Sequence, residues 1–145
     1  MRKLFLVFSL LAVFFVGTGM KTSEKIEIPP PCWLEIDVDW YGDCVKLNTN
    51  TVYVLNVTII DECSDPHETV YSETQTLATT IESTTFCIDD ALCTADELDP
   101  CFRIYFTLAK VHNVTQEIFC STQESTSLMT CEQLMAFSSY SIPLD

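Results

Sequence analysis

The side chains able to do chemistry in this 145-residue chain are eight cysteines, two histidines and a large excess of carboxylates. The cysteines are Cys32, Cys44, Cys63, Cys87, Cys93, Cys101, Cys120 and Cys131. Two chemistries compete for them, zinc ligation and disulfide formation. Structural zinc sites draw on closely spaced thiolate and imidazole pairs. This chain has no CxxC, and its histidines are His67 and His112 alone. An even cysteine count behind a secretory leader reads as four disulfides. The pairing is open, and the short spacing singles out Cys87–Cys93 as one expected bridge.

His67 and His112 are the conventional general bases near neutral pH. Neither stands in a nucleophile elbow or a zinc-protease helix motif, and the only glycine after the leader is Gly42, too few for a phosphate-cradling loop. Serines are so abundant that a Ser/His/Asp set can always be drawn, which makes such a set uninformative. The expectation is a non-enzymatic protein without cofactor or metal. Asp89, Asp90, Asp96, Glu97 and Asp99 crowd one segment and offer hard oxygen ligands. They lack the calcium-loop spacing and its turn glycine, so a solvated acidic loop is the preferred reading.

The formal net charge is −14. Loss of Arg2 and Lys3 with the leader would take it to −16, leaving Lys21, Lys25, Lys46, Arg103 and Lys110 as cations. Such a surface repels phosphate backbones and anionic headgroups, which argues against nucleic acid as a partner. It suits either simple solubility or a basic protein partner.

The leader itself is read from three parts. Arg2 and Lys3 are the charged start, Leu4 to Val16 the apolar stretch, and Gly17-Thr18-Gly19 the small residues for cleavage after Gly19. Thirteen residues of helix reach about 20 Å, short of the roughly 30 Å of bilayer core. Residues 1–19 are therefore expected to be a signal peptide, and 20–145 a single secreted domain with no membrane span. Ser141 to Asp145 shows no retention or lipid-anchor pattern. Asn56-Val57-Thr58 and Asn113-Val114-Thr115 are N-glycosylation sequons, with Asn56 and Asn113 the acceptors.

The elements that must position these groups are mostly strands. Ile26 to Pro31 ends in three prolines and cannot be helix. Leu34, Ile36, Val38 and Trp40 alternate with Glu35, Asp37 and Asp39, the pattern of a half-buried strand. Gly42-Asp43 and Asn48-Thr49-Asn50 mark turns. Thr51 to Ile60 is rich in β-branched residues, with Tyr53, Leu55, Val57 and Ile59 facing inward and Asn56 and Thr58 outward. Ser64-Asp65-Pro66 turns the chain, and Glu68 to Phe86 divides into two strands near Ala78-Thr79. Its threonines fit an exposed strand face better than an O-glycosylated stalk.

Cys87 to Cys93 and the following Thr94 to Pro100 read as an acidic loop. Phe102, Ile104, Phe106 and Leu108 then alternate along a strand that turns at His112-Asn113 and returns over Val114 to Cys120. Leu128, Cys131, Leu134 and Met135 have helical spacing. The architecture predicted is mostly β: an antiparallel two-sheet sandwich, disulfide-stapled, with a short C-terminal helix. Its aromatics are either solid core or the lining of an apolar cavity between splayed sheets.

Two stretches resemble the ML, or lipid-recognition, domain family. The first is Cys44-Val-Lys-Leu47 followed by Tyr53-Val-Leu-Asn56-Val57-Thr58; the second is Phe102-Arg-Ile-Tyr-Phe-Thr-Leu, closing at Glu117-Ile-Phe-Cys120. Cys87 and Cys93 match a short disulfide loop of the same spacing. The segment from Cys93 to Phe102 is too short for a strand the family carries there, and Cys63, Cys101 and Cys131 lack counterparts. The resemblance implies an immunoglobulin-like sandwich holding a sterol or other small apolar lipid, lined by Tyr53, Leu55, Val57, Phe102, Ile104 and Phe106. The residues themselves favour a secreted extracellular binding protein that engages a protein partner through an acidic, disulfide-stabilised surface. The lipid carrier is the alternative.

Overall fold

The computed structural model describes residues 32–45, 50–94 and 96–145. The expected leader, the proline run, Lys46 to Thr49 and Ala95 lie outside the described residues. Seven strands form two sheets: β1 (Leu34–Tyr41), β2 (Thr51–Asp61), β3 (Glu68–Ala78), β4 (Ser83–Ile88), β5 (Phe102–His112), β6 (Ile118–Ser125) and β7 (Ser139–Pro143). A short 3-10 turn (Asp43–Val45) follows β1, and one α-helix among the described residues, α1 (Cys131–Met135), precedes β7. The sheets have the orders β4-β1-β7 and β3-β2-β5-β6. Every pairing is antiparallel except that of β1 with β7, which is parallel. Set against B, C, C′, E, F and G, the first six strands reproduce the neighbour order of an immunoglobulin-type sandwich. The place beside B that strand A would fill is taken by the C-terminal β7.

Alternation decides which faces meet. β1 is buried at every second residue, and so is β2. Leu34, Ile36, Val38, Trp40, Phe86, Ile88 and Ile142 of one sheet thus face Tyr53, Leu55, Val57, Ile59, Ile104, Phe106 and Leu108 of the other in one core. Helix α1 starts at a capping box: the Gln133 amide donates to Thr130 Oγ1 at 3.2 Å, and the Thr130 amide to Gln133 Oε1 at 3.0 Å. Gly42 is at φ 134°, and a Cβ there would run into the Leu144 carbonyl, so glycine is required where β1 turns beneath the tail.

Two expectations need correction. Cys87 and Cys93 do not pair: the bridges are Cys32–Cys87, Cys44–Cys120, Cys63–Cys101 and Cys93–Cys131. Cys87 lies within β4, opposite Glu35, with its side chain on the outer face beside Cys32, while Cys93 follows a loop that leads to α1. Short spacing in sequence does not reverse a side chain's direction on a strand. The return strand is Ile118–Ser125, not Val114 to Cys120, because residues 113–115 form the turn. The residue pattern marks no strand after the helix, and the structure adds β7 there.

Candidate functional site

The acids that the sequence grouped are divided by the fold. Asp89 and Asp90 follow directly after β4 and stay exposed. Asp96, Glu97 and Asp99 instead join Asp61, Leu98, Cys101 and Phe102 around a cleft of about 520 Å³. Asp61 ends β2 and faces Phe102, the first residue of β5, in register. Sequence reasoning missed Asp61 because its role follows only from that pairing.

Two different disulfides pin the acidic loop at its ends. Cys93 is bonded to Cys131 at the start of α1, and Cys101 to Cys63 beyond the end of β2. Backbone bonds add to this. The Glu62 amide donates to the Cys101 carbonyl at 2.8 Å, and Phe102 and Met129 exchange amide–carbonyl bonds of 3.0 and 2.8 Å. The Cys63 amide donates to Asp61 Oδ1 at 2.9 Å, so that carboxylate is oriented before any partner arrives. Leu98, 80 % exposed, adds an apolar contact at the rim.

The lysine and arginine charges of the described residues are already engaged. Arg103 Nε stands 2.8 Å from Glu62 Oε1, and the same oxygen accepts from the Tyr105 hydroxyl at 2.9 Å. That bond to a carboxylate pushes the Tyr105 phenol up. Lys110 is 1 % exposed, donates from Nζ to the Cys44 carbonyl at 2.9 Å and lies 6.0 Å from the centre of the Tyr53 ring. Burial holds its ammonium below the usual lysine range. Among the described residues Arg103 and Lys110 are the only lysine or arginine side chains. The described surface therefore presents carboxylates with almost no countercharge.

A second acidic feature is the outer face of β1. Glu35, Asp37 and Asp39 are exposed there at every second position. Thr85 Oγ1 donates to Asp37 at 2.6 Å and Ser141 Oγ to Asp39 at 2.8 Å.

The histidines fall at opposite ends of the four-stranded sheet. His112 pairs with Thr51 at the start of β2, whereas His67 directly precedes β3, whose first residue pairs with Asp61 at the end of β2. At about 3.4 Å per residue the eleven-residue β2 separates them by roughly 30 Å. His112 Nδ1 accepts from the Val114 and Thr115 amides at 3.3 and 3.2 Å, which uses the lone pair a general base would need.

The six residues that the ML resemblance would place around a lipid all lie on β2 and β5 and are at most 3 % exposed. Their neighbours are side chains. The Phe106 ring stacks on Tyr140 at 4.3 Å, with Phe137 at 6.5 Å, and Tyr53 meets Trp40 edge-on at 5.3 Å. Tyr140 and Phe137, which the sequence did not single out, come from β7 and the segment before it. Asn56 and Asn113, the sequon acceptors, lie respectively in mid-β2 and in the β5–β6 turn. No helix among the described residues is long and apolar enough to cross a membrane.

Fold and surface define a disulfide-stapled β sandwich with an acidic cleft at one end. Comparison with protein families, with characterised proteins and with solved structures finds no match for the chain.

Proposed function

We propose that this is a secreted, non-enzymatic binding protein whose acidic cleft engages a basic extracellular protein. The observation that carries this reading is the double pinning of the acidic loop, by Cys93–Cys131 and Cys63–Cys101. A loop held at both ends loses little freedom on binding, so more of the interaction energy appears as affinity. Carboxylates on such a loop attract cationic partners and steer their approach. Four disulfides and the leader-like N-terminus support an extracellular setting.

The test starts with the full chain expressed in secretory cells. Protein from the medium should begin at Met20 by N-terminal sequencing. It is then used to capture basic proteins from extracellular fluid at low salt. One basic partner should be retained, released by salt, and lost with the D96N/E97Q/D99N variant but kept with E35Q/D37N/D39N. Capture that ignores both salt and the cleft variant would refute the reading. A lipid carrier, which the ML resemblance implies, would need its ligand where Phe106 and Tyr140 stack, and those rings would have to part.

A further inference from the structure

We infer that Asn113 carries an N-linked glycan whose first sugars cover the apolar end of the β5–β6 hairpin. The inference rests on the extracellular reading above for access to the glycosylation machinery. Residues 113–119 are exposed without a break. Within them Val114, Ile118 and Phe119 are 79, 61 and 50 % exposed, an uncommon concentration of apolar surface for a strand end. The Cys44–Cys120 bridge fixes the base of this patch, and the His112 amide, donating to the Glu117 carbonyl at 2.8 Å, closes the turn.

Asn113 stands inside that turn. Its backbone is held, the amide donating to the Asn50 carbonyl at 2.9 Å and the carbonyl accepting from Gln116 Nε2 at 3.1 Å. Its side-chain amide makes no hydrogen bond among the described residues, and neither does the Thr115 hydroxyl that completes the sequon. The other sequon differs on each count. Asn56 lies mid-strand, and its Nδ2 faces Thr74 Oγ1 at 2.9 Å, the Glu73 carbonyl at 3.2 Å and Ser72 Oγ at 3.4 Å. The Thr58 hydroxyl donates to Asn56 Oδ1 at 2.8 Å. A sugar on Asn56 would replace one of two amide hydrogens already engaged with β3; one on Asn113 displaces nothing.

The transfer is a substitution at carbon. Asn113 Nδ2 attacks C1 of the reducing-end N-acetylglucosamine on a polyprenyl-pyrophosphate-linked oligosaccharide. The N–C1 bond forms, the bond from C1 to the pyrophosphate oxygen breaks, the polyprenyl pyrophosphate leaves, and the nitrogen gives one proton to a base of the transferase. Attached at the turn, the first sugars extend over the hairpin end, where Ile118 and Phe119, adjacent on β6, stand exposed. The C–H face of a pyranose and its acetamide methyl can pack on an aromatic ring, while the hydroxyls keep the end wet.

The full chain is expressed in cultured eukaryotic cells and recovered from both cells and medium. Peptide-N-glycosidase treatment in heavy-oxygen water, followed by peptide mass spectrometry, reads each site. Asn113 should convert in most molecules and Asn56 in a smaller fraction. The N113Q protein should bind a hydrophobic dye several-fold more, or self-associate, and adding F119S should reverse this. T115S should keep the glycan, and T115A should lose it. A bare Asn113, or an N113Q protein with unchanged dye binding and mass, overturns the inference. A chain retained in cells counts against the extracellular reading, while the state of its Asn113 still decides this one.

Discussion

Whether the sandwich interior is solid or hollow can be put to a single residue, Phe106. It sits at the middle of β5, fully buried, with its ring 4.3 Å from Tyr140 at an angle of 8°. Phe137 adds a second ring at 6.5 Å. Truncating a close-packed phenylalanine to alanine costs the transfer energy of the lost atoms plus a cavity term, about 3–5 kcal/mol together. Part of that loss is the ring stacking itself, worth about 1 kcal/mol. If the sheets instead splayed around a lipid space, Phe106→Ala would enlarge an existing void and cost about 1 kcal/mol. Urea unfolding with disulfides intact separates the cases. With a slope of about 2 kcal/mol per molar, the solid core predicts a midpoint lower by roughly 2 M and an unchanged slope. Leu98→Ala, at the exposed cleft rim, is the control and should stay within about 0.5 kcal/mol. A Phe106→Ala, Tyr140→Leu double-mutant cycle should show coupling of about 1 kcal/mol. A Phe106→Ala midpoint shift under 0.5 M, or a variant that gains stoichiometric lipid by native mass spectrometry, would refute the packing argument.

Two other outcomes follow from the same contacts. Removing Cys93–Cys131 by the paired Ser substitutions opens a loop with a sequence separation of 38 and should cost about 3–4 kcal/mol, with α1 and β7 amides losing hydrogen-exchange protection first; retained protection there would contradict the anchoring role assigned to the bridge. Burial pushes the Tyr53, Tyr71 and Tyr140 phenols up, with the Glu73 carboxylate adding to the effect at Tyr71. The folded chain then keeps protons that the unfolded chain releases above about pH 10, so this stability is complete below pH 10 and falls as pH rises further. Lys110 acts oppositely, since its lowered value lets stability rise as pH climbs toward the unfolded lysine range. Unfolding midpoints from pH 8 to 11, read beside tyrosinate absorbance, should hold or rise before pH 10 and drop beyond it, less steeply in Tyr71→Phe.

The strands legible in the sequence are those whose alternation spans six residues or more. β1 and β2 show it without interruption, and the division of Glu68 to Phe86 at Ala78 matches the observed break between β3 and β4. β3 was the weakest signal, and its inward row explains why. Tyr71, Glu73 and Gln75 form a polar chain: the Tyr71 hydroxyl donates to Glu73 Oε2 at 2.6 Å, and Gln75 Nε2 donates to Glu73 Oε1 at 3.0 Å. Thr84 on β4 donates to Gln75 Oε1 at 2.8 Å, joining the sheets at this edge. Polar residues facing inward at an edge discourage further strands from adding there, but they erase the apolar period that reveals a strand. The cleft was illegible for a different reason. Asp61 and Asp99 are far apart in sequence, and what brings them together is the β2–β5 register, clamped by Cys63–Cys101, neither of which local spacing indicates.

β7 shows how the missing piece of the fold and the candidate site are one problem. Tyr140, Ile142 and Leu144 do alternate, but over too few residues, with Pro143 among them, to announce a strand. Proline is tolerated because β7 has a neighbour on one side only among the described strands. The partner, β1, lies about a hundred residues earlier, and a parallel pairing leaves no turn for a local pattern to reveal. To reach β1 the chain must leave β6 and cross to the other sheet, and α1 is the crossing. Cys131, at its first residue, thereby meets Cys93 and fixes the start of the acidic loop. The same crossing delivers Phe137 and Tyr140 to Phe106. One C-terminal segment thus packs on Phe106 in the core and braces one end of the acidic loop, so truncating it would loosen both.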